Sequence, residues 1–370
     1  MKTDLVNQVA ANFKIDGKVI RHRPFGAGHV HDTYVLETNG REKVRYLLQK
    51  INHHIFKDVS QLMRNIERVT SHIESRTKKH SGTQPAPECL TVIKTGSGEL
   101  FFQDQQDGYW RMYVYIEGAQ SFDVVETPEL AHEGGKAYGK FLAQVSDLPG
   151  DELFETIPNF HNMERRLTAF SKTLDEDRAG RVAHLQYEIG FLKDRAEEML
   201  TLHKLESAGK IRRRVTHNDT KFNNILFDSA GKVLCVVDLD TVMPGLVHYD
   251  FGDAIRTVAN TAREDESDLD KISLNIELFD AFTGGFLEEA ASFLNAAEIR
   301  TLAFSAKYMT FIMCLRFLTD YIDGDNYYKI HFDTHNLQRA RAQFRLLESM
   351  EAHMDMMEGI VDRFAEMFVV

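Results

Sequence analysis

A chain of 370 residues, 43% of them hydrophobic, can bury a large core and exceeds one typical domain, so two or three lobes are expected. The formal net charge of −12 argues against nucleic-acid partners, because an acidic chain repels their phosphates. No apolar run approaches the ~20 residues needed to span a bilayer. Three widely spaced cysteines form no disulfide framework or zinc motif. We therefore expect a cytoplasmic protein without a nucleic-acid or membrane partner.

Residues 1–117 are predicted to form a smaller, β-rich N-terminal lobe. The β-prone runs are residues 33–37, 44–48, 91–93, 100–102 and 110–116. The first two flank Asn39-Gly40, a pair typical of tight hairpin turns. Between the second and third runs, apolar residues recur at helical spacing over residues 58–75, with Asp58 as a candidate N-cap.

Residues 118–370 are predicted to form a larger, mostly helical C-terminal lobe. Helical periodicity is found in residues 130–145, 161–172, 182–205, 269–294, 296–321 and 337–368. Short β-prone segments at residues 215–240 interrupt this pattern. A β-rich lobe followed by a larger helical lobe predicts an α+β, bilobal, protein-kinase-like fold.

The most specific motif is V-T-H-N-D-T-K-F-N-N-I-L-F-D at residues 215–228, followed by V-V-D-L-D at residues 236–240. Asp219 precedes Asn224 by five positions, and Asp238 ends a strand that is predicted to pair back with the preceding one. This order matches the catalytic and metal loops of kinases. It predicts phosphoryl transfer from ATP, with Asp219 as the catalytic base and with Asn224 and Asp238 as Mg²⁺ ligands.

Four neighbouring residues each allow two interpretations. Asn223 competes as the metal ligand, and only the spacing of the motif disfavours it. Asp240 is either a second metal ligand or substrate contact, or a solvated carboxylate. His217 is expected to support the loop backbone rather than to act as a base. Lys221 either neutralises the transferring phosphoryl group or is simply solvated.

Nucleotide contacts are expected from the first lobe. Phe25-Gly26-Ala27-Gly28-His29 places a glycine pair before a strand, where backbone can approach phosphates closely. Residues 113–118 would be the hinge that offers backbone N–H and C=O groups to adenine. The candidate contacts from these two segments are Gly26, Gly28, Tyr115, Ile116 and Glu117.

Three motifs resemble the aminoglycoside phosphotransferase/choline kinase-like superfamily: V-T-H-N-D-T-K-F-N-N-I-L-F-D, V-V-D-L-D-T-V-M-P-G and H-Y-D-F-G-D-A-I-R. The resemblance is closest to its N-acetylhexosamine 1-kinase subgroup, and it includes R-F-L-T-D-Y-I-D-G-D-N-Y-Y at residues 316–328 and H-N-L-Q-R at residues 335–339. It extends over most of the chain. It implies Mg²⁺-dependent transfer of phosphate from ATP to the anomeric (C1) hydroxyl of N-acetylglucosamine or N-acetylgalactosamine.

The resemblance also implies roles for single residues. Asp219 matches the catalytic aspartate, which also contacts the substrate, and Asn224 and Asp238 match the metal ligands. Asp250 matches an aspartate that ties the catalytic loop together. The positions that match sugar contacts are His29, Arg316 and Tyr327. An arginine and a tyrosine suit an uncharged, polyhydroxylated ligand with an acetamido group, so the C-terminal lobe is expected to bind the sugar.

The chain departs from the superfamily pattern at two positions. Gln49 stands on the predicted third strand where a lysine or arginine usually holds the ATP phosphates, and it is expected to lie in the nucleotide site. The N-acetylhexosamine kinases are similar in this respect. His31 stands where asparagine is usual, which is expected to alter the hydrogen bonds of the glycine-containing loop or the nucleotide preference.

Two alternatives to a sugar 1-kinase remain open at the level of sequence. One is a kinase of another small alcohol or amine, such as choline, homoserine or an aminoglycoside. The acidic and aromatic residues of the C-terminal region are compatible with either an acidic cleft or an aromatic cage. The other is a nucleotide-binding pseudokinase, against which the intact Asp219, Asn224 and Asp238 argue.

Overall fold

The computed structural model describes residues 2–26, 30–80 and 89–368. The chain divides into two compact units. The first unit comprises Met1–Gln120, Asp147–Pro158 and Leu226–Met243; the second comprises Ser121–Ser146, Asn159–Ile225 and Pro244–Val370. Two later segments of the chain therefore return to the first unit, and one of them contains the predicted metal-binding aspartate Asp238.

The first unit is built on an antiparallel β-sheet. Its strands are β1 (Val19–Pro24), β2 (Asp32–Thr38), β3 (Arg45–Ile51), β4 (Val92–Ile93), β5 (Phe102–Gln103) and β6 (Tyr109–Val114). Their spatial order is β1–β2–β3–β6–β4, and β5 also pairs with β6. The predicted β2–β3 hairpin around Asn39-Gly40 is confirmed by its antiparallel register.

Two helices complete the first unit: α1 (Lys2–Ala10) and α2 (Val59–His80). Alternate residues of β3 and β6, such as Leu48 and Met112, point to one face, because side chains of a strand alternate between faces. This face packs against Val6 and Val9 of α1. Asp58 accepts a hydrogen bond of 3.0 Å from the Gln61 backbone N–H, which confirms its predicted capping role.

The second unit is mostly helical. Its helices are α3 (Pro128–Val145), α4 (Met163–Glu176), α5 (Gln186–Arg195), α6 (Thr201–Ser207), α7 (Val247–Val258), α8 (Ile276–Ala290), α9 (Ala296–Arg300), α10 (Leu302–Ile322), α11 (His335–Ala352) and α12 (Met354–Phe368). Two short strands, β7 (Arg214–Thr216) and β10 (Met243–Gly245), pair with each other; a further pair, β8 (Ile225–Phe227) with β9 (Val233–Val236), lies in the first unit except for Ile225. The β8–β9 pair is the predicted hairpin after the catalytic motif.

Four of the predicted helices are interrupted. Residues 269–294 form a 3₁₀ turn at Leu269–Lys271 and, after a non-helical stretch, α8, which ends at Ala290. Residues 182–205 form a 3₁₀ turn, α5, a second 3₁₀ turn and α6, with Leu185 at φ −116° and ψ 25° separating the first turn from α5. Thr301 separates α9 from α10 at φ −101° and ψ 9°. His353 separates α11 from α12 at φ −110° and ψ 9°. Apolar periodicity predicts which face is buried, and it continues across a one-residue break that it does not detect.

Helix α10 is the centre of the second unit. Over the described residues it is the only helix long and apolar enough to cross a membrane by length and composition, but 83% of its most apolar window is buried inside the protein. It packs against α4, α7 and α11. Its apolar character is therefore accounted for by its place in the core.

The packing of α3 on α8 depends on small residues, and we expect Gly135→Ala to destabilise the protein by about 1–3 kcal/mol. A Cβ at this position would lie 2.2 Å from the Phe282 carbonyl oxygen and 2.8 Å from the Phe286 backbone nitrogen, so the two helices would have to separate. Gly190→Ala in α5 is a matched control, because its Cβ would meet no atom within 4 Å. The control should be neutral or more stable, since alanine favours a helix by up to ~1 kcal/mol over glycine. Urea unfolding of the two variants would measure the difference, and equal stabilities would contradict this account.

Candidate active site

The loop that carries the predicted base is held by a buried carboxylate. The backbone N–H of His217 donates to Asp250 Oδ2 over 2.8 Å, and that of Asn218 donates to Oδ1 over 2.7 Å. The Thr220 hydroxyl donates to the Asp250 carbonyl over 2.6 Å. Asn218 adopts a left-handed conformation with φ 65°, which these bonds stabilise. Asp250, at the start of α7, therefore fixes the loop as the resemblance implied.

The Asp219 side chain lies partly open to solvent, with 24% of its surface exposed. Its Oδ1 is 3.0 Å from Lys221 Nζ. Burial opposes ionisation of Asp219, but the positive charge of Lys221 and its hydrogen bond hold the pKa of this carboxyl below its usual value. Asp219 is therefore ionised at neutral pH and can accept a hydrogen bond, and then a proton, from a substrate hydroxyl.

His217 lies beneath this loop and is fully buried. Its Nδ1 accepts a hydrogen bond of 3.3 Å from the Asp219 backbone N–H. Its ring makes edge contacts with Tyr138 and Phe141 of α3. These contacts agree with the predicted supporting role and place the imidazole away from solvent.

The two adjacent asparagines of the motif differ in their surroundings. Asn224 is buried, and its Nδ2 donates to the Asp219 backbone carbonyl over 2.8 Å. This bond directs the amide so that Oδ1, a neutral oxygen of the kind Mg²⁺ accepts, is the remaining polar atom. Asn223 is exposed, and its Nδ2 donates to Asp123 Oδ1 over 3.0 Å. The geometry favours Asn224 as the ligand.

Asp238 follows β9 and belongs to the first unit, whereas Asn224 belongs to the second. It is exposed, has left-handed dihedrals of φ 60° and ψ 54°, and precedes a 3₁₀ turn at Leu239–Thr241. Among the described residues, no group of three or more His, Cys, Asp or Glu side chains is arranged to hold a metal. The carboxylate of Asp238 and the amide oxygen of Asn224 are each a ligand type that Mg²⁺ accepts.

Asp240 and Gln49 both accept hydrogen bonds from Arg111, a residue of the first unit that sequence reasoning missed. Arg111 of β6 donates from Nη1 and Nη2 to the two carboxylate oxygens of Asp240, each over 2.6 Å, and from Nε to Gln49 Oε1 over 2.9 Å. Gln49 Nε2 donates to Thr33 Oγ1 over 3.1 Å. These contacts favour a structural role for Asp240 and Gln49 over direct ligand contact. A lone arginine within an otherwise apolar strand was the available signal.

The predicted nucleotide-contact segments lie close together in the first unit. The Tyr115 backbone N–H donates to the Arg45 carbonyl over 2.9 Å, and the Arg45 guanidinium forms a bidentate ion pair with Glu117. The Tyr115 ring also makes an edge contact with Phe25 at 5.6 Å between ring centroids. Gly26 has φ 77°, a conformation that favours glycine. Gly28 and His29 lie outside the described residues.

Arg316 of α10 lies among aromatic rings. Its guanidinium carbon is 5.1 Å from the ring centroid of Phe160, 5.6 Å from that of Tyr327 and 5.5 Å from that of Tyr328. Its Nη2 is 3.5 Å from the Tyr327 hydroxyl. Burial lowers the pKa of Arg166 to about 10, and the positive charge of Arg316 contributes to this shift. Arg166 donates from Nε and Nη2 to the Phe160 carbonyl over 3.2 and 2.7 Å, so a second guanidinium, which sequence reasoning missed, lies beside this cluster.

His161 connects this aromatic cluster to the catalytic loop. Its Nε2 is 2.8 Å from the Asn218 carbonyl oxygen, and its own carbonyl accepts a hydrogen bond of 2.9 Å from the Tyr308 hydroxyl. Burial lowers the pKa of His161 to about 3, so the imidazole is neutral at physiological pH and donates from Nε2. Phe160, its chain neighbour, is thereby fixed against Arg316.

The acidic residues of the C-terminal region have protein partners. Asp320 accepts hydrogen bonds from the backbone N–H groups of Tyr327 and Tyr328 over 2.8 and 3.0 Å. Asp325 pairs with Arg181 over 2.6 Å, and Asp323 lies 3.2 Å from Arg178. These carboxylates stabilise the segment that contains Tyr327. Because they are paired within the protein, they differ from the carboxylates of an acidic cleft, which an aminoglycoside requires.

Comparison with known proteins adds family evidence to this geometry. A sequence profile of the phosphotransferase enzyme family matches residues 21–280. Similar solved structures include an aminoglycoside phosphotransferase from Alicyclobacillus acidocaldarius (12% identity, TM-score 0.58, 96% of each chain covered) and an ethanolamine kinase from Plasmodium vivax (15%, 0.57, 92% of this chain and 85% of that one). A choline kinase from Cryptosporidium parvum is also similar (13%, 0.57, 97% of each chain). At these identities the likeness shows the fold, and it confirms the predicted fold class.

Proposed function

Because the chain belongs to the phosphotransferase enzyme family, and is thus an ATP-dependent small-molecule kinase, we propose that it phosphorylates the anomeric (C1) hydroxyl of N-acetylhexosamines. The substrates would be N-acetylglucosamine and N-acetylgalactosamine, and the reaction would serve amino-sugar salvage in the cytoplasm. Sequence resemblance to the N-acetylhexosamine 1-kinases supports this choice. Asp219 is the proposed base, and Asn224 and Asp238 are the proposed Mg²⁺ ligands.

The observation that favours an uncharged acceptor is the pair of guanidinium groups in and beside the aromatic cluster. Burial opposes the positive charge of Arg316, but its neighbours Tyr328 and Tyr327, with the carboxylates of Asp253 and Asp219, raise its pKa above the usual value. A quaternary ammonium or a polycationic aminoglycoside would be repelled by Arg316 and Arg166. Sugar hydroxyls and an acetamido carbonyl can accept hydrogen bonds from such donors. The cluster therefore supports a neutral sugar over choline or an aminoglycoside.

The proposed reaction is a direct transfer. Asp219 accepts the proton of the C1 hydroxyl, the C1 oxygen forms a bond to the γ-phosphorus, and the bond from that phosphorus to the bridging oxygen of ADP breaks. The bound magnesium would neutralise charge on the phosphates. Lys221, 3.0 Å from Asp219, adds a positive charge beside the acceptor. Nucleotide contacts are proposed for Gly26, Gly28, Tyr115, Ile116 and Glu117, and sugar contacts for His29, Arg316 and Tyr327.

The proposal is tested by measuring ADP release with ATP and Mg²⁺ across a panel of acceptors. The panel comprises N-acetylglucosamine, N-acetylgalactosamine, their 1-O-methyl glycosides, choline, homoserine and kanamycin. We expect turnover with the free sugars and none with the methyl glycosides, because methylation removes the attacking hydroxyl. Turnover restricted to choline, homoserine or kanamycin would reject the sugar site and keep the kinase. No turnover with any acceptor would favour a pseudokinase.

Replacing Arg316 by alanine is expected to lower kcat/KM for the sugar by roughly 10–100-fold. The variant loses one charged hydrogen bond to the sugar, which contributes about 1.5–3 kcal/mol. The change should appear mainly in the KM of the sugar and leave the KM of ATP unchanged. Arg363→Ala is a matched control, because this exposed arginine of α12 pairs with Asp280. A sugar KM unaffected by Arg316→Ala would remove Arg316 from the proposed substrate site.

A further inference from the structure

The Arg111–Asp240 ion pair is one of the most enclosed polar contacts of the first unit. Arg111 is 1% exposed and Asp240 is 2% exposed. The guanidinium meets the carboxylate through two parallel bonds of 2.6 Å, the geometry in which such pairs are strongest. Nε is used as well, on Gln49. Buried ion pairs of this kind often contribute little net stability, because the desolvation of both charges offsets their attraction. Because its net contribution to stability is expected to be small, we interpret the ion pair as positioning the segment that contains Asp240.

The element that this pair positions is the turn beside Asp238. Asp240 lies in the 3₁₀ turn Leu239–Thr241, and Asp238 immediately precedes it with left-handed dihedrals. The same turn has two further attachments: the Thr156 hydroxyl donates to the Asp240 carbonyl over 2.8 Å, and Asn65 Nδ2 donates to the Val242 carbonyl over 3.1 Å. Of these attachments, only Arg111 connects the turn to the β-sheet.

The hydrogen bond between Arg111 and Gln49 explains the unusual glutamine of the third strand. Gln49 of β3 and Arg111 of β6 are direct cross-strand partners. The amide of Gln49 accepts from Arg111 and donates to Thr33 of β2, so it orients the guanidinium. A cation that the superfamily usually places on the third strand is therefore found on the adjacent strand, where Asp240 neutralises it.

His31, in the segment that leads into β2, also lies close to this carboxylate. Its Nδ1 accepts a hydrogen bond of 3.0 Å from the Asn52 backbone N–H, so its proton is on Nε2. Nε2 lies 3.5 Å from Asp240 Oδ1. His31 immediately precedes β2, five residues after Gly26. Asp240 thus receives contacts from β6 and from the segment that leads into β2, all within the first unit.

We propose that Arg111 is a positioning residue that holds the Asp238 turn in its metal-binding conformation through Asp240. The proposed action of Arg111 is on the metal loop, through Asp240, and not on the phosphates. The inference rests on the proposed role of Asp238 as a Mg²⁺ ligand and is independent of the identity of the acceptor. It predicts that perturbing the pair weakens the Mg²⁺-dependent part of nucleotide binding, even when the protein is fully folded.

The experiment is calorimetric titration of ADP into the protein with Mg²⁺ and with EDTA, for wild type, Arg111→Lys and Asp240→Asn. Loss of residues that orient metal ligands typically costs 10–100-fold in metal affinity, so we expect the gain in ADP affinity due to Mg²⁺ to fall by about this factor. ADP affinity in EDTA should not change. Arg195→Lys is the matched control, because Arg195 forms a similar two-bond pair with Glu351 in the second unit, each bond 2.9 Å.

A double variant separates positioning from simple stabilisation. Arg111→Gln with Asp240→Asn removes both charges and leaves no unpaired buried ion, so its melting temperature should recover relative to either single variant. We expect its Mg²⁺-dependent gain in affinity to remain low. A double variant that recovers this gain together with stability would overturn the inference, and so would wild-type Mg²⁺ dependence in Arg111→Lys and Asp240→Asn.

Asp238→Ala distinguishes failure of the inference from failure of the metal assignment. If Asp238→Ala loses the effect of Mg²⁺ while the Arg111 and Asp240 variants keep it, Asp238 is a ligand but Arg111 does not position it. If Asp238→Ala also keeps the effect, the assignment of Asp238 is wrong and the inference is rejected with it. An equal loss of ADP affinity with and without Mg²⁺ in Arg111→Lys would place Arg111 in nucleotide binding and reject the positioning role.

Discussion

Replacing Asp219 by asparagine is expected to lower kcat by about 10²–10⁴-fold, the usual contribution of a positioned general base. Asparagine has nearly the same shape but cannot accept the proton of the acceptor hydroxyl. The nucleotide does not depend on this proton transfer, so the affinity for ADP and Mg²⁺ should be retained. Steady-state kinetics and ADP titration on the same preparation measure both quantities.

The control for this variant is Asp123→Asn, which changes an exposed carboxylate that accepts a hydrogen bond from Asn223 of the catalytic motif. It should keep the activity of wild type. Unchanged kcat in Asp219→Asn would remove Asp219 from the role of base. A parallel loss of nucleotide binding would instead indicate that the substitution had disturbed the loop, whose Asn224 amide bonds to the Asp219 carbonyl.

Replacing Asp250 by asparagine is expected to lower the free energy of unfolding by about 1–3 kcal/mol, the cost of leaving a buried donor unsatisfied. Asp250 uses one oxygen for the His217 N–H and the other for the Asn218 N–H. An asparagine offers one acceptor and turns its NH₂ group towards the second donor. The loop that presents Asp219 should lose its conformation, so kcat should fall as well.

Asp228→Asn is a matched control for this loss. Asp228 also accepts two backbone N–H groups, from Ala230 over 2.8 Å and Lys232 over 2.9 Å, but both bonds go to Oδ1. The single carbonyl oxygen of asparagine can accept both, so the control should be close to wild type in stability. If urea unfolding gives the same stability for Asp250→Asn and Asp228→Asn, the two-oxygen explanation is wrong.

The Asp250 variant should also change how stability depends on pH. Burial raises the pKa of Asp250 to about 7 from an ordinary value of 3.8, against the effect of its two N–H donors. Between these values the folded state binds more protons at this site than the unfolded state, so the site makes stability fall as pH rises from about 4 to about 7. Asparagine does not titrate. The stability of wild type relative to Asp250→Asn should therefore decline over this range and then level off, as unfolding at a series of pH values would measure.

The features predicted correctly from the sequence are those set by residues close together in the chain. The Asn39-Gly40 hairpin, the Asp58 cap and the β8–β9 hairpin all follow from turn and capping chemistry within a few residues. The breaks at Thr301 and His353 were missed, because apolar periodicity continues across them.

The site divides in the same way. The spacing from Asp219 to Asn224 is local, so the motif alone predicts a role for both residues, and the contacts of Asp250 agree with what the resemblance implies. The partners of Asp240 and Gln49 could not be predicted, because Arg111 precedes Asp240 by 129 residues. The bond of His161 to the Asn218 carbonyl spans 57 residues. No sequence pattern encodes such pairs.

The sequence by itself determined the order of the catalytic motif, the class of chemistry and the alternation of strands and helices. These depend on side-chain chemistry and on the periods of local backbone structure. Only the tertiary structure decided which charged groups are buried and which groups they contact. Arg316 among aromatic rings, and Arg111 on Asp240, are buried contacts between distant segments. Such contacts are selected by packing and by the cost of burying an unpaired charge, and both depend on the whole fold.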